Sequence, residues 1–333
     1  MSLPLSILDQ SPIVADASPG DAIAATIALA RRAEQLGYRR YWLAEHHAMR
    51  GLADASPELL LARLTAETSQ LRLGTGGIML PHYSALKVAE SFRMLEALAP
   101  GRIDLGVGRA PGGSGLVSAA LQSRDVADFP QQIIDVIDYL NATTPARSPF
   151  ATLTAMPSGR SSPDVWLLGS SDYGALLAAE LGLPYTFAHF IAGDGGAVTR
   201  TYRERFKPSA QCAAPRVMLA LGAIVAPTDA EAEALTWPVA LWRMRLFRGR
   251  ATTVPSLAET ERYPWTPRER DEVETTRRVV FGSPSTVRAK IEALVAAHAA
   301  DEAMIVTIAP DYASRLRSYE LLAQAFAVRE RAA

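Results

Sequence analysis

A (β/α)8 TIM barrel is the fold class this sequence predicts, and three observations predict it. Short apolar runs alternate with helix-period segments along the whole chain, at a spacing of roughly 30 residues, the length of one strand–helix–strand repeat. Eight such runs can be counted, each followed by a helical segment, which is the count of a closed barrel. Residues 71–113 show the unit at its clearest: an apolar run ending in Gly76-Gly77, a helix, and a second apolar run, 103–107, ending in Gly108-Arg109. Parallel strands joined in this way open their carboxyl ends on one side, where such folds place their chemistry. An open, doubly wound sheet is the alternative built from the same elements.

Residues 5–8 read as the first strand, ending in Asp9-Gln10. Ser18-Pro19 with Asp21 makes a capping box, and the helix it opens is expected to turn Ile23, Ile27 and Ala30 inward and to stop at Gly37. Residues 41–43 are the second strand, which ends in Glu45-His46-His47. Ser56-Pro57 opens the next helix by the same cap logic, with Leu60, Leu61 and Leu64 on it, and Leu71 starts the third strand. In the following helix Ala85, Val88, Ala89, Phe92 and Leu95 share one face, and Pro100-Gly101 ends it. Beyond Gly113, 131–140 is helical, and 141–164, rich in Ser, Thr and Pro, is an inserted excursion over the surface. Strand five is 165–169, followed by a helix capped by Ser170-Ser171 and stopped at Gly182. Strand six, 186–188, ends in His189, and a helix spans about 196–206. Strand seven lies within 217–225 and a long helix covers 229–247. Residues 249–280 are polar and Arg-rich with no clear period, and are expected to form a second insertion acting as a lid. Ser283-Pro284 caps a further helix, 303–307 is strand eight, and 311–328 is the closing helix.

Composition bounds the function. Of 333 residues, 49% are hydrophobic and 21% charged, with a net charge of -1, so nothing points to nucleic acid or an anionic membrane as partner. That length could hold two domains, but α/β barrels run as long in one, and a single domain over 1–333 is expected. Cys212 is the single cysteine, which excludes an intrachain disulfide and a cysteine-based zinc site and fits a reducing compartment. No metal site is expected. The amino terminus lacks the regions of a signal peptide, and no apolar run reaches the ~18 residues needed to span a bilayer. A cytoplasmic protein is expected.

A barrel would gather Asp9, His46, Gly76, Gly77, Arg109, Ser170, Ser171 and His189 at its carboxyl-end face. Neighbours at a strand end point to opposite sides, so at most one of His46 and His47 faces a site; the plain alternative is that both are surface loop residues. Arg109 is either a structural ion-pair partner or an anion clamp, because a guanidinium fork suits phosphate oxygens. Ser170-Ser171 is either a helix cap or, with the N–H groups and dipole of that helix, a phosphate seat. Glycines 74, 76, 77, 106 and 108 relieve crowding at the rim or let a flat ring lie against bare backbone. Gly106-x-Gly108 is followed by Gly112 and no glycine three positions on, so the dinucleotide fingerprint is absent.

WLAEHH at 42–47, LGTGGIMLP at 73–81, LKVAESFRMLEALAPGRIDLGVGRAPG at 86–112 and GSSDYGALLAAELGLP at 169–184 together resemble the bacterial luciferase-like, flavin-dependent monooxygenase family. The resemblance covers most of the chain, is weak over the two insertions, and is nearest to the family's single-chain oxygenases. It implies reduced FMN, made from NAD(P)H by a separate flavin reductase, that reacts with O2 to a C4a-hydroperoxide and passes one oxygen to a small, mainly apolar organic substrate. It implies His46 as base or hydrogen-bond partner beside the flavin ring and a cis peptide at Gly76-Gly77 beneath it. Arg109, Ser171 and the Gly174 backbone would hold the phosphate, with Gly108 and Ser170 alongside. A homodimer is implied as well. Some positions depart from the family pattern. Gly108 stands where luciferase catalytic subunits carry a cysteine, which speaks against light emission; His82 and Ala85 stand where relatives usually show asparagine and proline. Two readings stay open beside the oxygenase: a deazaflavin-dependent hydride-transfer oxidoreductase and a flavin-binding paralogue without turnover.

Overall fold

Eight parallel strands close on themselves in the computed structural model, which describes residues 3–145, 148–250 and 252–328. In chain order the strands are β1 (Leu5–Asp9), β2 (Arg40–Leu43), β3 (Arg72–Thr75), β4 (Ile78–Met79), β5 (Ile103–Gly108), β6 (Asp164–Gly169), β7 (Tyr185–Ala188), β8 (Val217–Val225), β9 (Val279–Gly282) and β10 (Glu302–Val306). The wall runs β1, β2, β3, β5, β6, β7, β8, β10, and β10 pairs back to β1, so the open-sheet alternative falls. The two remaining strands extend the rim at the carboxyl end: Ile78 lies opposite Val107, and Gly222 to Val225 lie opposite β9.

The helices are α1 (Pro19–Gln35), α2 (Pro57–Thr65), α3 (Ala85–Leu98), α4 (Gly115–Ala120), α5 (Phe129–Asn141), α6 (Asp172–Leu181), α7 (His189–Ala192), α8 (Gly196–Arg205), α9 (Asp229–Phe247), α10 (Leu257–Arg262), α11 (Pro267–Thr276), α12 (Pro284–Ala297) and α13 (Tyr312–Ala325). The face expected for α3 is the one buried, from Ala85 to Leu95. The capping box of α1 is present, but its inward face is Ala22, Thr26, Leu29, Ala30 and Ala33, while Ile23 is 37% exposed. The alanines let α1 lie close to the wall, and that phase brings the Thr26 hydroxyl to Asp9 at 2.8 Å. Ser56, Ser171 and Ser283 occupy N-cap positions, yet their side chains make no cap bond.

Residues 249–280, expected to lack periodic structure, hold α10, α11 and the start of β9. Both helices begin at local caps. Ser256 accepts from the Glu259 N–H at 3.1 Å, and Thr266 with Glu269 forms a full capping box. Caps hold these helices more than an apolar stripe does, so hydrophobic periodicity could not find them. Residues 142–163 hold only turns and bends where they are described, as a Ser-, Thr- and Pro-rich excursion should. No helix among the described residues is long and apolar enough to cross a membrane.

Alternation along the strands sorts side chains into two layers. Ile7, Tyr41, Leu105 and Ile305 point into the core between wall and helices, while Leu8, Trp42, Trp166, Met218 and Met304 fill the barrel itself. At the amino-terminal end the interior is ionic. Arg40 pairs with Asp104 at 2.7 Å and with Glu302 at 3.0 Å, and Asp104 also accepts from Arg72 and, at 2.9 Å, from the Trp42 indole. Burial pushes the Asp104 carboxyl up, but the two guanidinium groups outweigh it and hold the carboxyl below its usual range. Its contribution to stability is therefore present at neutral pH and lost on acidification through that lowered value. Arg40→Met should cost about 3–5 kcal/mol in urea denaturation, because it strands two buried carboxylates, and adding Asp104→Asn and Glu302→Gln should recover part of the loss. A single variant as stable as the parent would show that the network holds nothing.

Candidate active site

At the carboxyl ends of the strands, under α9 and α11, lies a cavity of about 660 Å³, within the usual range for small organic ligands. Gln10, His46, Gly222 and Val306 border it from the strand side and Val239, Trp242 and Val273 from the helices, so most of its wall is apolar. His46 follows β2 and enters this wall with its orientation fixed from behind. Its Nδ1 lies 3.2 Å from Oδ2 of Asp54, and its backbone N–H donates to the Asp54 carbonyl at 3.3 Å. The Asp54 side chain is fully buried, and burial pushes its carboxyl up to about 6 against the pull of His46. An ionised Asp54 accepts the Nδ1 proton and leaves Nε2 as the basic nitrogen of the ring.

His47 turns the other way, as alternation requires. Its Nε2 meets the buried Glu45 carboxylate at 2.7 Å, and Glu45 also accepts from the Tyr83 hydroxyl at 2.6 Å and the Met79 N–H at 3.0 Å. Burial and Glu45 push the Tyr83 hydroxyl up, so it stays protonated as a donor. The His47 N–H donates to the Gly112 carbonyl at 3.0 Å. His82 lies off the cavity, its Nε2 at 2.7 Å from the Pro111 carbonyl and its Nδ1 at 2.6 Å from the Ser123 hydroxyl. Glu45, His47 and His82 thus fix the turn that carries Arg109.

A second constellation stands on the same carboxyl-end rim, at the ends of β3, β5 and β6. The Gly76–Gly77 peptide between β3 and β4 is cis. A Cβ on Gly77 would stand 2.7 Å from the Gly106 carbonyl, so that position has no room for a side chain; a Cβ on Gly108 would meet only the Met79 sulfur, at 3.8 Å. Gly108 therefore borders open space. Arg109 is exposed, has no carboxylate partner among the described residues, and stacks 4.1 Å over the Tyr173 ring in the first turn of α6. Because Ser171 spends no side-chain bond on α6, its hydroxyl and the first N–H groups of the helix remain available. Gly174, buried in that turn, lets α6 approach β6, and Ser170 sits half-buried before it. Of the residues expected to form the site, only His46 lines the cavity; Arg109 and the Ser171 turn meet each other through Tyr173.

Two expected members are elsewhere. Asp9 turns outward because Leu8 turns in, and it accepts from Thr26, from the Ser11 N–H at 2.6 Å, from Arg315 at 2.5 Å and from the Tyr41 hydroxyl. It is a structural anion between wall and helices. His189 opens α7, packs 5.5 Å from the His298 ring, and leaves its neighbours Phe190 and Ile191 to line the cavity. Burial and the nearby His298 push its pKa down. Asp54, Gln10 and the cavity arginines Arg243 and Arg278 escaped sequence reasoning. Asp54 precedes Ala55-Ser56-Pro57 and looks like turn punctuation, so nothing short of the fold ties it to His46.

Fold and site together define an α/β-barrel enzyme with its chemistry at the carboxyl-end face. The family model of luciferase-like monooxygenases matches residues 4–301, and the chain belongs to that family of oxygenating enzymes. It is 45% identical to the uncharacterised protein YwcH of Bacillus subtilis, over 97% of this chain and 99% of that one. It is 34% identical to the N-acetyl-S-alkylcysteine monooxygenase of the same organism, over 96% and 97%. The crystal structure of apo-MsnO8 matches with a TM-score of 0.92 at 39% identity, over 99% of both chains. Two more distant structures share the fold alone. One is the oxygenating constituent of 3,6-diketocamphane monooxygenase from Pseudomonas putida in complex with FMN, with a TM-score of 0.74 at 18% identity over 100% of both chains. The other is an F420-dependent secondary alcohol dehydrogenase in complex with an F420–acetone adduct, with a TM-score of 0.69 at 14% identity over 99% and 100%.

The raised Asp54 carboxyl has a signed consequence. The native state binds this proton more tightly than the unfolded chain, so the group favours folding at low pH and that contribution is lost as pH rises through about 6. Asp54→Asn should therefore leave the denaturation midpoint at pH 8 unchanged or higher. It should also lower turnover by roughly tenfold or more and remove a fall in rate below about pH 6 that is expected of the parent. A pH profile indifferent to the substitution would disconnect Asp54 from His46.

Proposed function

We propose that the protein is a flavin-dependent monooxygenase that uses reduced FMN and O2 to oxygenate a small, mainly apolar organic substrate. One observation carries this reading: an exposed arginine without a carboxylate partner among the described residues, an unspent helix start and a patch of open backbone share the carboxyl-end rim with an apolar chamber whose wall holds a His–Asp pair. A phosphate calls for a free cation and unspent N–H donors. Arg109 lacks a carboxylate partner among the described residues, and Ser171 leaves the start of α6 unspent. A flat ring calls for bare backbone, and Gly108 borders open space beside the Gly76–Gly77 link. These residues fit the cofactor: Arg109, Ser170, Ser171 and the Gly174 N–H at its phosphate, Gly76, Gly77 and Gly108 against its ring.

Bound reduced FMN would supply the two electrons that activate O2, one atom of which goes to the substrate while the other leaves as water. The rest falls to the chain. His46, held by Asp54, takes or gives a proton at Nε2. A roof of α9, α10 and α11, stitched together by Arg245–Glu259 at 2.6 Å and Arg248–Glu269 at 2.8 Å, would limit water in the chamber once substrate fills it. Named monooxygenases stand among the relatives at 34 to 38% identity, which supports oxygen transfer over hydride transfer. As the family resemblance implies, a separate NAD(P)H:flavin reductase would supply the reduced FMN. A cytoplasmic homodimer completes the reading.

His46→Ala should bind FMN as the parent does and lose product formation by about 100-fold or more, with O2 consumption diverted to hydrogen peroxide. Full product yield would remove His46 from the mechanism. Arg109→Ala should weaken FMN far more than riboflavin in calorimetric titration, and an equal loss for both ligands would refute the phosphate role.

A further inference from the structure

The chamber carries charge that its wall does not need. Along α9, Thr236, Val239, Ala240, Arg243, Met244 and Phe247 recur at helical spacing and face the cavity, and Arg243 is the only charged residue in that stripe. Arg243 is exposed on the cavity side of the helix, whereas Arg245 and Arg248, on the opposite face, hold carboxylates. Arg243 makes no hydrogen bond, ion pair or aromatic stack with any described residue. Arg278 lines the same wall and is likewise exposed, so the cavity carries two arginines on its solvent side. Arg278 donates to the Ile191 carbonyl, which occupies one arm of its fork. The third arginine of the wall, Arg277, is spoken for by the Thr236 hydroxyl at 2.8 Å, by Glu233 at 3.4 Å and by the Phe281 ring at 4.4 Å. Glu272 lies on the same wall and pairs with none of the three among the described residues.

We propose that the substrate is a monocarboxylic acid with an apolar body, and that Arg243, assisted by Arg278, is the residue that selects its carboxylate. The proposal rests on the chamber being the substrate site of the oxygenase reading and narrows that reading to one chemical class. Two guanidinium groups suit a carboxylate as a forked acceptor. Glu272 opposes a second negative charge, which favours a monoanion over a phosphate ester. The acid end then lies under α9 and the apolar body extends along Trp242 and Val306 toward His46, so the cation also orients the substrate.

Trp242 in the cavity wall allows binding to be followed by intrinsic fluorescence, with calorimetry as a second readout, in protein without flavin. The probes are octanoate, 4-phenylbutyrate and N-acetylmethionine, each beside its neutral carboxamide, together with phenyl phosphate. At least one acid should bind about tenfold or more tighter than its carboxamide. Arg243→Gln should abolish that preference while leaving carboxamide affinity and melting temperature unchanged, and Arg243→Lys should retain part of it. Acids no tighter than their carboxamides, including a panel in which neither saturates below about 10 mM, would overturn the proposal. So would a preference that survives in Arg243→Gln, or phenyl phosphate as the tightest probe. The readout uses neither flavin nor O2, so its failure leaves the oxygenase reading standing, and failure of the FMN titration leaves an anion preference standing.

Discussion

Closing a parallel sheet into a barrel forces every second side chain inward, and at the amino-terminal end of this barrel those side chains are Arg40, Arg72, Asp104 and Glu302. They come from β2, β3, β5 and β10, so their charges are matched only when all four strands stand in one register. A slip of one residue would carry each charge into the apolar layer outside and an apolar residue into the ionic one. Burying four charges gives little net stability in itself, but the penalty for mispairing them is large. The indole of Trp42, bonded to Asp104, extends this constraint upward into the apolar filling of the barrel.

The same alternation governs the working end. Leu8 inward means Asp9 outward, where it joins the helices to the wall through Thr26 and Arg315. His46 on the chamber means His47 on the far side, where with Glu45 it fixes the turn before Gly112. One short motif therefore serves two places: Glu45 and His47 steady the turn that carries Arg109, and His46 enters the chamber wall.

What could be read from the sequence follows from what is periodic. The wall strands and the α3 face are repeating apolar patterns, and they stand where the sequence places them. On α1 the expected face holds at Ile27 and Ala30, but Ile23 is exposed, and Leu29, alanines and a bonded threonine complete the buried side. α10 and α11 were missed because their starts are written in Ser256-to-Glu259 and Thr266-to-Glu269 caps, a signal of four residues rather than a stripe. Asp54 could not be found at all, since its partnership with His46 exists only once the loop after β2 is folded. Arg243 was legible in principle, as a charge in phase with an apolar helical face, but only after that face was known to border a cavity.

The roof over the chamber is held mostly by itself. α9 begins at its own capping box, α10 and α11 at theirs, and the ion pairs Arg245–Glu259 and Arg248–Glu269 run within the segment. It occupies a single connection, between β8 and β10, whereas the residues assigned to the anion seat hang on β5 and β6 at another sector of the rim. A chain organised in this way can exchange one connection and leave the other untouched. The two sectors are free to diversify at different rates, because a change in the roof leaves the Arg109 and Ser171 turns where they are.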